Sequence, residues 1–125
     1  MQKYFIQGSQ KTPVIDLDEG GVLRIGGRSI HEDPEKFFKP VVNWVDEYCR
    51  LHNKDHTTIE IELEYFNSGS AKFILSILQT LTKKIQPGEH LTINWHYEEG
   101  DDDILERGEY YSSLLDKEFI FIKEG

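Results

Sequence analysis

The sequence is poor in the features that mark secreted and membrane-spanning proteins. Only one of its 125 residues is a cysteine, Cys49, so no disulfide can form within the chain. No apolar run approaches the roughly 20 residues that a helix needs to cross a bilayer. The first residues, MQKYFIQGSQK, lack the apolar segment of a signal peptide. Together these absences predict a cytoplasmic protein.

Positive charge is also scarce. The chain has 14 Lys and Arg residues against 23 Asp and Glu residues, which gives a net charge of −9. A field of this sign repels nucleic acid and anionic membranes, so we expect neither as a partner. The acidity is compatible with a basic protein partner, and equally with a role in solubility alone.

The remaining composition, 38% hydrophobic and 30% charged, is typical of a globular domain. We find no repeats and no linker, so residues 1–125 are expected to form a single domain. Apolar periodicity predicts strands at 3–7, 14–17, 22–25, 57–66, 91–97 and 118–122, with glycines 26 and 27 ending the third. Between Asp18 and Gly21, a glycine-containing loop predicts a hairpin.

Three helices are predicted between the later strands. The first begins at Asp33-Pro34, or near Lys39 if Pro40 breaks it, and ends near His52-Asn53. The second spans residues 68–85 and is terminated by Pro87-Gly88. An aspartate at 101, 102 or 103 caps the third, which runs to about residue 115 and is weakened by Gly108.

The strand at 57–66 has the clearest alternation and indicates how the sheet is covered. Its predicted inward residues are Ile59, Ile61, Leu63 and Tyr65, and its predicted outward residues are Glu60, Glu62, Glu64 and Phe66. A helix packed over three glutamates would bury charge at high cost, so one face of the sheet is expected to stay open. The fold class is therefore α/β, a mixed sheet with helices mainly on one face.

The stretch LEYFNSGSAKFI, residues 63–74, lies where this strand ends and the second helix begins. Ser68 is well placed to cap the helix, and serine is among the best N-cap residues. The same position offers an exposed hydroxyl beside a positive helix end, where a phosphate is tolerated. Residue patterns alone leave both roles open.

Other chemistry-bearing groups give weaker signals. The acidic loop contains Glu98, Glu99, Asp101, Asp102 and Asp103 but does not match the spacing of an EF-hand. Glu60, Glu62 and Glu64 have no accompanying nucleophile or histidine in the pattern, so we interpret them as a solvated face. Neither a metal nor a cofactor is expected.

Several motifs together resemble one family. They are MQKYFIQG with TP near the start, GGRSI at 26–30, the F–P–W–EY pattern of residues 38–48, LEYFNS at 63–68, and NWHYEEGDDDILERGEYY at 94–111. Over nearly the whole chain they are similar to the SiaC family of bacterial regulatory phosphoproteins. Members of this family resemble anti-sigma-factor antagonists of the STAS type in fold, which agrees with the element order.

The resemblance implies a non-enzymatic partner-switching regulator of cyclic di-GMP signalling and biofilm formation. A kinase related to anti-sigma factors would phosphorylate Ser68, with Ser70 as a fallback acceptor. A PP2C-type phosphatase would remove the phosphate, and the unmodified form would bind and activate a diguanylate cyclase. The phosphorylated residue of the family is most familiar as threonine. The expected partner-binding residues are Arg28, Asn67, Ser68, Gly69, Ser70 and Tyr97.

Two alternatives from other classes remain at this stage. A small metal-dependent hydrolase would use the acidic loop at 98–103 and needs a cleft with converging acids. A constitutive scaffold subunit would have a permanent apolar interface and an inaccessible Ser68. The switch instead requires Ser68 to be exposed at the carboxyl edge of the sheet, where Arg28 could neutralise the phosphate if glycines 26 and 27 turn the chain there.

Overall fold

The computed structural model describes residues 1–51, 55–85 and 90–125. The predicted element order is confirmed in this part of the chain. The elements are β1 (Tyr4–Ile6), β2 (Val14–Asp18), β3 (Val22–Ser29), α1 (Pro34–Arg50), β4 (Thr57–Phe66), α2 (Ser68–Lys84), β5 (Leu91–Glu98), α3 (Asp102–Leu114) and β6 (Ile120–Glu124). The predicted α1 end at His52-Asn53 and the α2 terminator Pro87-Gly88 lie outside the described residues.

All six strands form one mixed sheet, in which spatial order equals chain order. Strands β1, β2 and β3 pair antiparallel, and β3, β4, β5 and β6 pair parallel. Parallel neighbours joined through a helix require crossover connections, which are almost always right-handed. Because each crossover advances in the same direction across the sheet, α1, α2 and α3 lie on the same face. The predicted fold class is confirmed.

The core lies between this face and the helices. It combines inward strand residues such as Ile25, Ile61 and Trp95 with helix residues such as Phe38 and Leu78, all 1% exposed or less. Each buried aliphatic or aromatic side chain contributes about 1.5–3 kcal/mol relative to exposure. None of the helices among the described residues is long and apolar enough to span a bilayer.

Strand β3 is longer than predicted. It continues through Gly26 and Gly27 to Ser29 because β4 pairs with it along this stretch, with Gly26 opposite Glu62 and Ser29 opposite Phe66. A Cβ on Gly26 would lie 3.4 Å from the Glu62 Cβ, so glycine fits the close approach of the two strands. The prediction that the strand ends at glycines 26 and 27 was wrong, and no turn exists there.

Strand β4 contains a β-bulge that the alternation did not predict. Gly27 pairs with Leu63 and Arg28 pairs with Tyr65, so Glu64 is an extra residue without a partner on β3. The extra residue reverses the pattern beyond it. Tyr65 is 50% exposed and Phe66 is 2% exposed, the opposite of the predicted facing.

Helix α1 begins at Pro34, and Asp33 caps it by accepting a hydrogen bond from the Lys36 backbone N–H at 3.1 Å. Pro40 lies inside the helix on its exposed side, so the alternative start near Lys39 was wrong. Proline removes a single backbone donor here, and the burial of Val41 and Trp44 against the core holds the helix in place.

Strand β6 begins two residues later than predicted because the chain first makes a turn after α3. The Ser112 hydroxyl donates to the carbonyl oxygen of Lys117 at 2.6 Å and accepts from the Phe119 N–H at 3.2 Å. Asp116 has a φ of 51°, in the left-handed region. Phe119 is thereby buried, and pairing with β5 starts at Ile120.

Candidate functional site

The predicted functional edge lies where β3 and β4 end and α2 begins. Asn67 follows the last residue of β4 and has extended backbone angles, φ −81° and ψ 173°. Its side-chain oxygen accepts a hydrogen bond from the Ser70 N–H at 2.9 Å. The N-cap of α2 is therefore Asn67, and the interpretation of Ser68 as the cap was wrong.

Ser68 is the first residue of α2, and its side chain is exposed. No hydrogen bond joins its hydroxyl to the part of the chain that the structure describes. The first turn of α2 contains no acidic residue, so the positive end of the helix dipole is not neutralised from within the helix. One turn further along, Lys72 is exposed at the i+4 position. The Ser68 hydroxyl is thus accessible, in an environment that favours added negative charge.

Ser70 has the opposite character. It is 0% exposed, and its hydroxyl donates to the carbonyl oxygen of Ser29 at 3.0 Å while it accepts from the Ser29 hydroxyl at 2.7 Å. An enzyme cannot reach this oxygen in the folded chain. This burial argues against Ser70 as the fallback acceptor, and its bonds to Ser29 give it a structural role at the start of α2.

Gly69 places the start of α2 directly against the start of α1. A Cβ at this position would lie 3.2 Å from the Cγ of Pro34, closer than ordinary packing allows. Packing within the chain explains the glycine at this position, which was predicted from the sequence to be a partner-binding residue. The packing fixes the position of Ser68 relative to α1.

The two other predicted contact residues have different surroundings. Arg28 lies on β3 rather than in a turn; its guanidinium is 3.6 Å from a Glu64 carboxylate oxygen and 5.8 Å from the centre of the Tyr65 ring. Its predicted route to the edge, through a turn at glycines 26 and 27, is therefore wrong. Tyr97 is half-buried near the end of β5 and packs against the core.

An exposed groove of about 410 Å³ runs beside this edge, between the end of β4 and α3. Two aromatic side chains border it, Tyr65 at 50% exposure and Tyr110 at 61%. Arg107 lies 4.8 Å above the ring of Phe66, at the groove floor. The sequence indicated Tyr110 and Arg107 only as parts of the motif at 94–111, and its alternation, in which the bulge is not visible, predicted that Tyr65 faces inward.

The acidic loop does not form a converging site among the described residues. Asp101 caps α3 by accepting from the Ile104 N–H at 3.1 Å, and Asp102 and Asp103 are exposed in the first helical turn. The group of side chains that can bring three metal-ligating atoms within 4.8 Å is elsewhere, at Glu62, His96 and Glu124 on the open face. Both ring nitrogens of His96 already contact carboxylates there, so this geometry is that of an ion-paired histidine.

Comparisons with known proteins agree on one relationship. The model of the SiaC family regulatory phosphoproteins matches residues 6–124. An uncharacterized protein of Pseudomonas aeruginosa (strain UCBPP-PA14) is 29% identical over 112 residues, 89% of this chain and 88% of that protein. The crystal structure of apo-SiaC from Pseudomonas aeruginosa matches with a TM-score of 0.83 at 28% identity, covering 100% of both chains.

A further match comes from the crystal structure of the diguanylate cyclase SiaD in complex with its activator SiaC, also from Pseudomonas aeruginosa. There the TM-score is 0.87 at 26% identity, and the match covers 97% of this chain and 99% of the other. The similarity thus extends over the whole fold, including the strand–helix junction that carries Ser68.

Proposed function

This chain belongs to the SiaC family of regulatory phosphoproteins, and from that premise we propose that it is a non-enzymatic partner-switching regulator whose switch is the Ser68 hydroxyl. The observation that carries the proposal is the division of roles at the α2 start. Asn67 caps the helix and the Ser70 hydroxyl is bonded to Ser29. Ser68 is exposed, and its hydroxyl makes no hydrogen bond to the described part of the chain. A hydroxyl that makes no contact needed for folding can be modified without loss of the fold.

Phosphorylation of Ser68 adds about −1.5 to −2 charge units and three acceptor oxygens. At the first position of a helix this charge is stabilised by the free N–H groups and the dipole. Lys72 is at the i+4 position, the spacing at which helix side chains can pair, and its ammonium lies 5.2 Å from the centre of the Phe73 ring in the unmodified chain. The modified chain therefore keeps its structure, and the switch acts at the surface.

The effect on a docked partner is much larger. A surface complementary to a neutral serine would have to desolvate a dianion, which costs several kcal/mol unless a cation pairs with it. A loss of about 3–4 kcal/mol weakens binding by a few hundredfold. One added group thus separates a bound state from a released one.

The family supports the choice of effector. SiaC of Pseudomonas aeruginosa is the activator of the diguanylate cyclase SiaD, with which it forms a complex. We assign the unmodified chain the same class of effector, so that its output is cyclic di-GMP in the cytoplasm. A kinase related to anti-sigma factors would add the phosphate and a PP2C-type phosphatase would remove it. The exposed Tyr65 and Tyr110, which border the groove between the end of β4 and α3, are of the residue type enriched at binding hot spots.

The test of the switch is phosphosite mapping. The purified chain is incubated with ATP and lysate of its own host, and intact mass and peptide spectra are recorded. We expect one phosphoryl group, on Ser68, in the wild type and in Ser70→Ala, and none in Ser68→Ala. Ser113→Ala, an exposed helical serine, is the matched control. Phosphate at another residue, or none in any variant, would overturn the assignment.

The effector is tested separately with a purified diguanylate cyclase from the same host. Unmodified chain and Ser68→Ala should bind it and raise its rate of cyclic di-GMP synthesis. Chain phosphorylated at Ser68 should bind at least a hundredfold more weakly, because the contact surface then carries the phosphate. Equal binding of both forms would refute the switch, even if Ser68 is phosphorylated.

A further inference from the structure

A histidine on the open face of the sheet lies between two carboxylates from the strands on either side. His96 is on β5, and its side chain is only 13% exposed. Its Nε2 is 2.6 Å from a carboxylate oxygen of Glu60 on β4. Its Nδ1 is 2.5 Å from a carboxylate oxygen of Glu124 on β6. One imidazole ring therefore joins three adjacent strands.

Both contacts are short only if both nitrogens carry hydrogen. Neutral imidazole has one N–H, whereas a carboxylate has only acceptors, so two carboxylate contacts require the imidazolium ion. The surrounding charges favour it. They are Glu62 on β4, which is paired with Arg24 of β3 at 2.8 Å, Glu64 on β4 and Glu98 at the end of β5. The neutral amide of Asn94 donates to Glu60 at 2.8 Å and helps to hold that carboxylate in place. The described helices all pack on the other face.

We propose that Glu60, His96 and Glu124 form a protonation-dependent clamp that fastens the C-terminal strand β6 to the centre of the sheet. β6 is an edge strand of five residues, so its pairing depends on β5 alone. The clamp adds a charged link from β6 through the His96 side chain of β5 to Glu60 on β4. Its release would loosen the end of β6 without opening the core.

The two arms of the clamp are not equal. The Glu60 side chain is 16% exposed and is also held by Asn94, whereas the Glu124 side chain is 47% exposed. When His96 loses one proton, the remaining N–H stays with the more buried Glu60, which has less access to water. The Nδ1 lone pair then faces the Glu124 carboxylate, and Glu124 turns to solvent. The strand end is then held by the backbone pairing of β6 with β5, by the bond from the Glu99 N–H to the Glu124 carbonyl at 3.0 Å, and by the exposed ion pair of Lys123 with Glu99 at 3.9 Å.

The direction of the pH dependence follows. Burial lowers the pKa of His96, but the hydrogen bonds to Glu60 and Glu124 outweigh it and raise the pKa above the ordinary value of 6.5. A pKa raised by folding means that the clamp stabilises the protein fully below pH 6.5 and that this contribution is lost as the pH rises through the folded pKa.

At low pH the protonation of Glu60 limits the stability of the clamp. Burial raises the pKa of Glu60, but the hydrogen bonds from His96 and Asn94 outweigh it and lower the pKa below the ordinary value of 4.5. The Glu60 contribution is therefore present above pH 4.5 and is lost as the pH falls through the folded pKa. The clamp therefore stabilises the protein most at pH values between the pKa of Glu60 and the pKa of His96.

The first experiment is an NMR titration of the histidine ring signals in the full chain, with a chelator present to exclude bound cations. We expect His96 to titrate above 6.5 in the wild type and at a lower pH in Glu124→Gln. Glu109→Gln, an exposed glutamate on α3, removes the same charge and should leave the His96 titration unchanged. A wild-type value at or below 6.5, or no difference between Glu124→Gln and Glu109→Gln, would overturn the clamp.

The second experiment measures amide hydrogen exchange on either side of the His96 titration, corrected for intrinsic rates. Above it, the amides of Ile122, Lys123 and Glu124 should exchange several-fold, up to about tenfold, faster, as expected for one lost charge-assisted hydrogen bond at a half-exposed site. In Glu124→Gln this pH difference should vanish. Strand β1, the other edge, is the internal control. Protection of β6 that does not change with pH in the wild type would refute the proposal.

Discussion

The hydroxyl of Ser70 donates to the carbonyl oxygen of Ser29 at 3.0 Å and accepts from the Ser29 hydroxyl at 2.7 Å. The same carbonyl accepts the Asn67 N–H at 3.1 Å. These bonds fasten the end of β3 to the start of α2. Because the anchor is internal, Ser68 is presented to solvent on a fixed turn of helix.

The first prediction concerns this anchor. In Ser70→Ala the buried Ser29 hydroxyl loses its acceptor and the Ser29 carbonyl loses one donor. Unsatisfied buried polar groups cost about 1–3 kcal/mol, so we expect the free energy of unfolding to fall by this amount in urea titrations. Ser68→Ala should change it by less than about 0.5 kcal/mol, because the residue is exposed. Equal effects of the two substitutions would contradict the division of roles.

A double substitution refines the same point. In Ser29→Ala/Ser70→Ala both hydroxyls are removed together, so no hydroxyl remains without a partner. The loss should be smaller than the sum of the two single losses by about 0.5 kcal/mol or more, because the two residues are in direct contact. Additive losses would mean that the two hydroxyls act independently.

The second prediction concerns the cap of α2. Asn67→Ala removes the acceptor for the Ser70 N–H and should lower the free energy of unfolding by about 1 kcal/mol. Asn67→Ser retains an N-cap acceptor and should keep most of the stability that the alanine variant loses. Thermal unfolding of both variants checks the assignment, which would fail if alanine at this position were neutral.

The third prediction concerns the contact between α3 and the sheet. A Cβ on Gly108 would lie 2.5 Å from Nε1 of Trp95, whose N–H donates to the Ile104 carbonyl at 2.9 Å. Alanine improves helix propensity by about 1 kcal/mol. The fully buried ring of Trp95 cannot move away, however. We therefore expect overpacking, which costs about 1–3 kcal/mol, and the loss of the indole hydrogen bond to outweigh the gain in helix propensity and to lower the free energy of unfolding.

The measurement is the free energy of unfolding of Gly108→Ala, together with the near-ultraviolet circular dichroism, which reports on the packing of aromatic rings. Ser113→Ala, at an exposed position of the same helix, is the matched control and should be neutral or slightly stabilising. A stabilised Gly108→Ala would mean that α3 shifts away from Trp95 at little cost.

The fourth prediction concerns Cys49. Burial raises the pKa of its thiol to about 11, more than nearby Lys84 lowers it. Because the thiolate is the reactive form, on the order of one thiol in a thousand is ionised at pH 8. An aromatic disulfide reagent should therefore label the folded chain on the order of a hundredfold more slowly than the urea-unfolded chain. Similar labelling rates in the folded and the unfolded chain would contradict the raised pKa of Cys49.

The predictions that held were those carried by long periodic segments. In β4, Ile59 and Ile61 alternate with glutamates and are buried. In α2, Ile74, Leu78 and Leu81 recur at helical spacing, and all three are 0% exposed. Such patterns exist because one face must leave water, so they are present in the sequence itself. Element order and the one-sided arrangement of helices followed from them.

The errors arose where pairing with a distant strand overrode the local pattern. Gly26 and Gly27 resemble a strand end, yet β4 pairs with β3 through both. The bulge at Glu64 inserts one residue, and no local signal distinguishes Tyr65 facing inward from Tyr65 facing outward.

At the site, the sequence left two neighbouring candidates for one role. Asn67 and Ser68 are both good capping residues, and only the geometry of the turn decides between them. The bond between Ser29 and Ser70 joins residues 41 positions apart, and the sequence around either serine gives no sign of it. The burial of Ser70 could therefore be found only from the folded chain.

The identity of spatial and chain order in the sheet has a consequence for how the molecule folds. Every strand pairs with the one that precedes it, so each step of assembly closes a loop no longer than one connecting helix or turn. The cost in entropy grows only slowly with loop length, but the parallel pairs, each of which closes over a whole helix, form more slowly than the antiparallel pairs of β1, β2 and β3. The sheet can thus grow strand by strand as the chain leaves the ribosome, with β6 joining last.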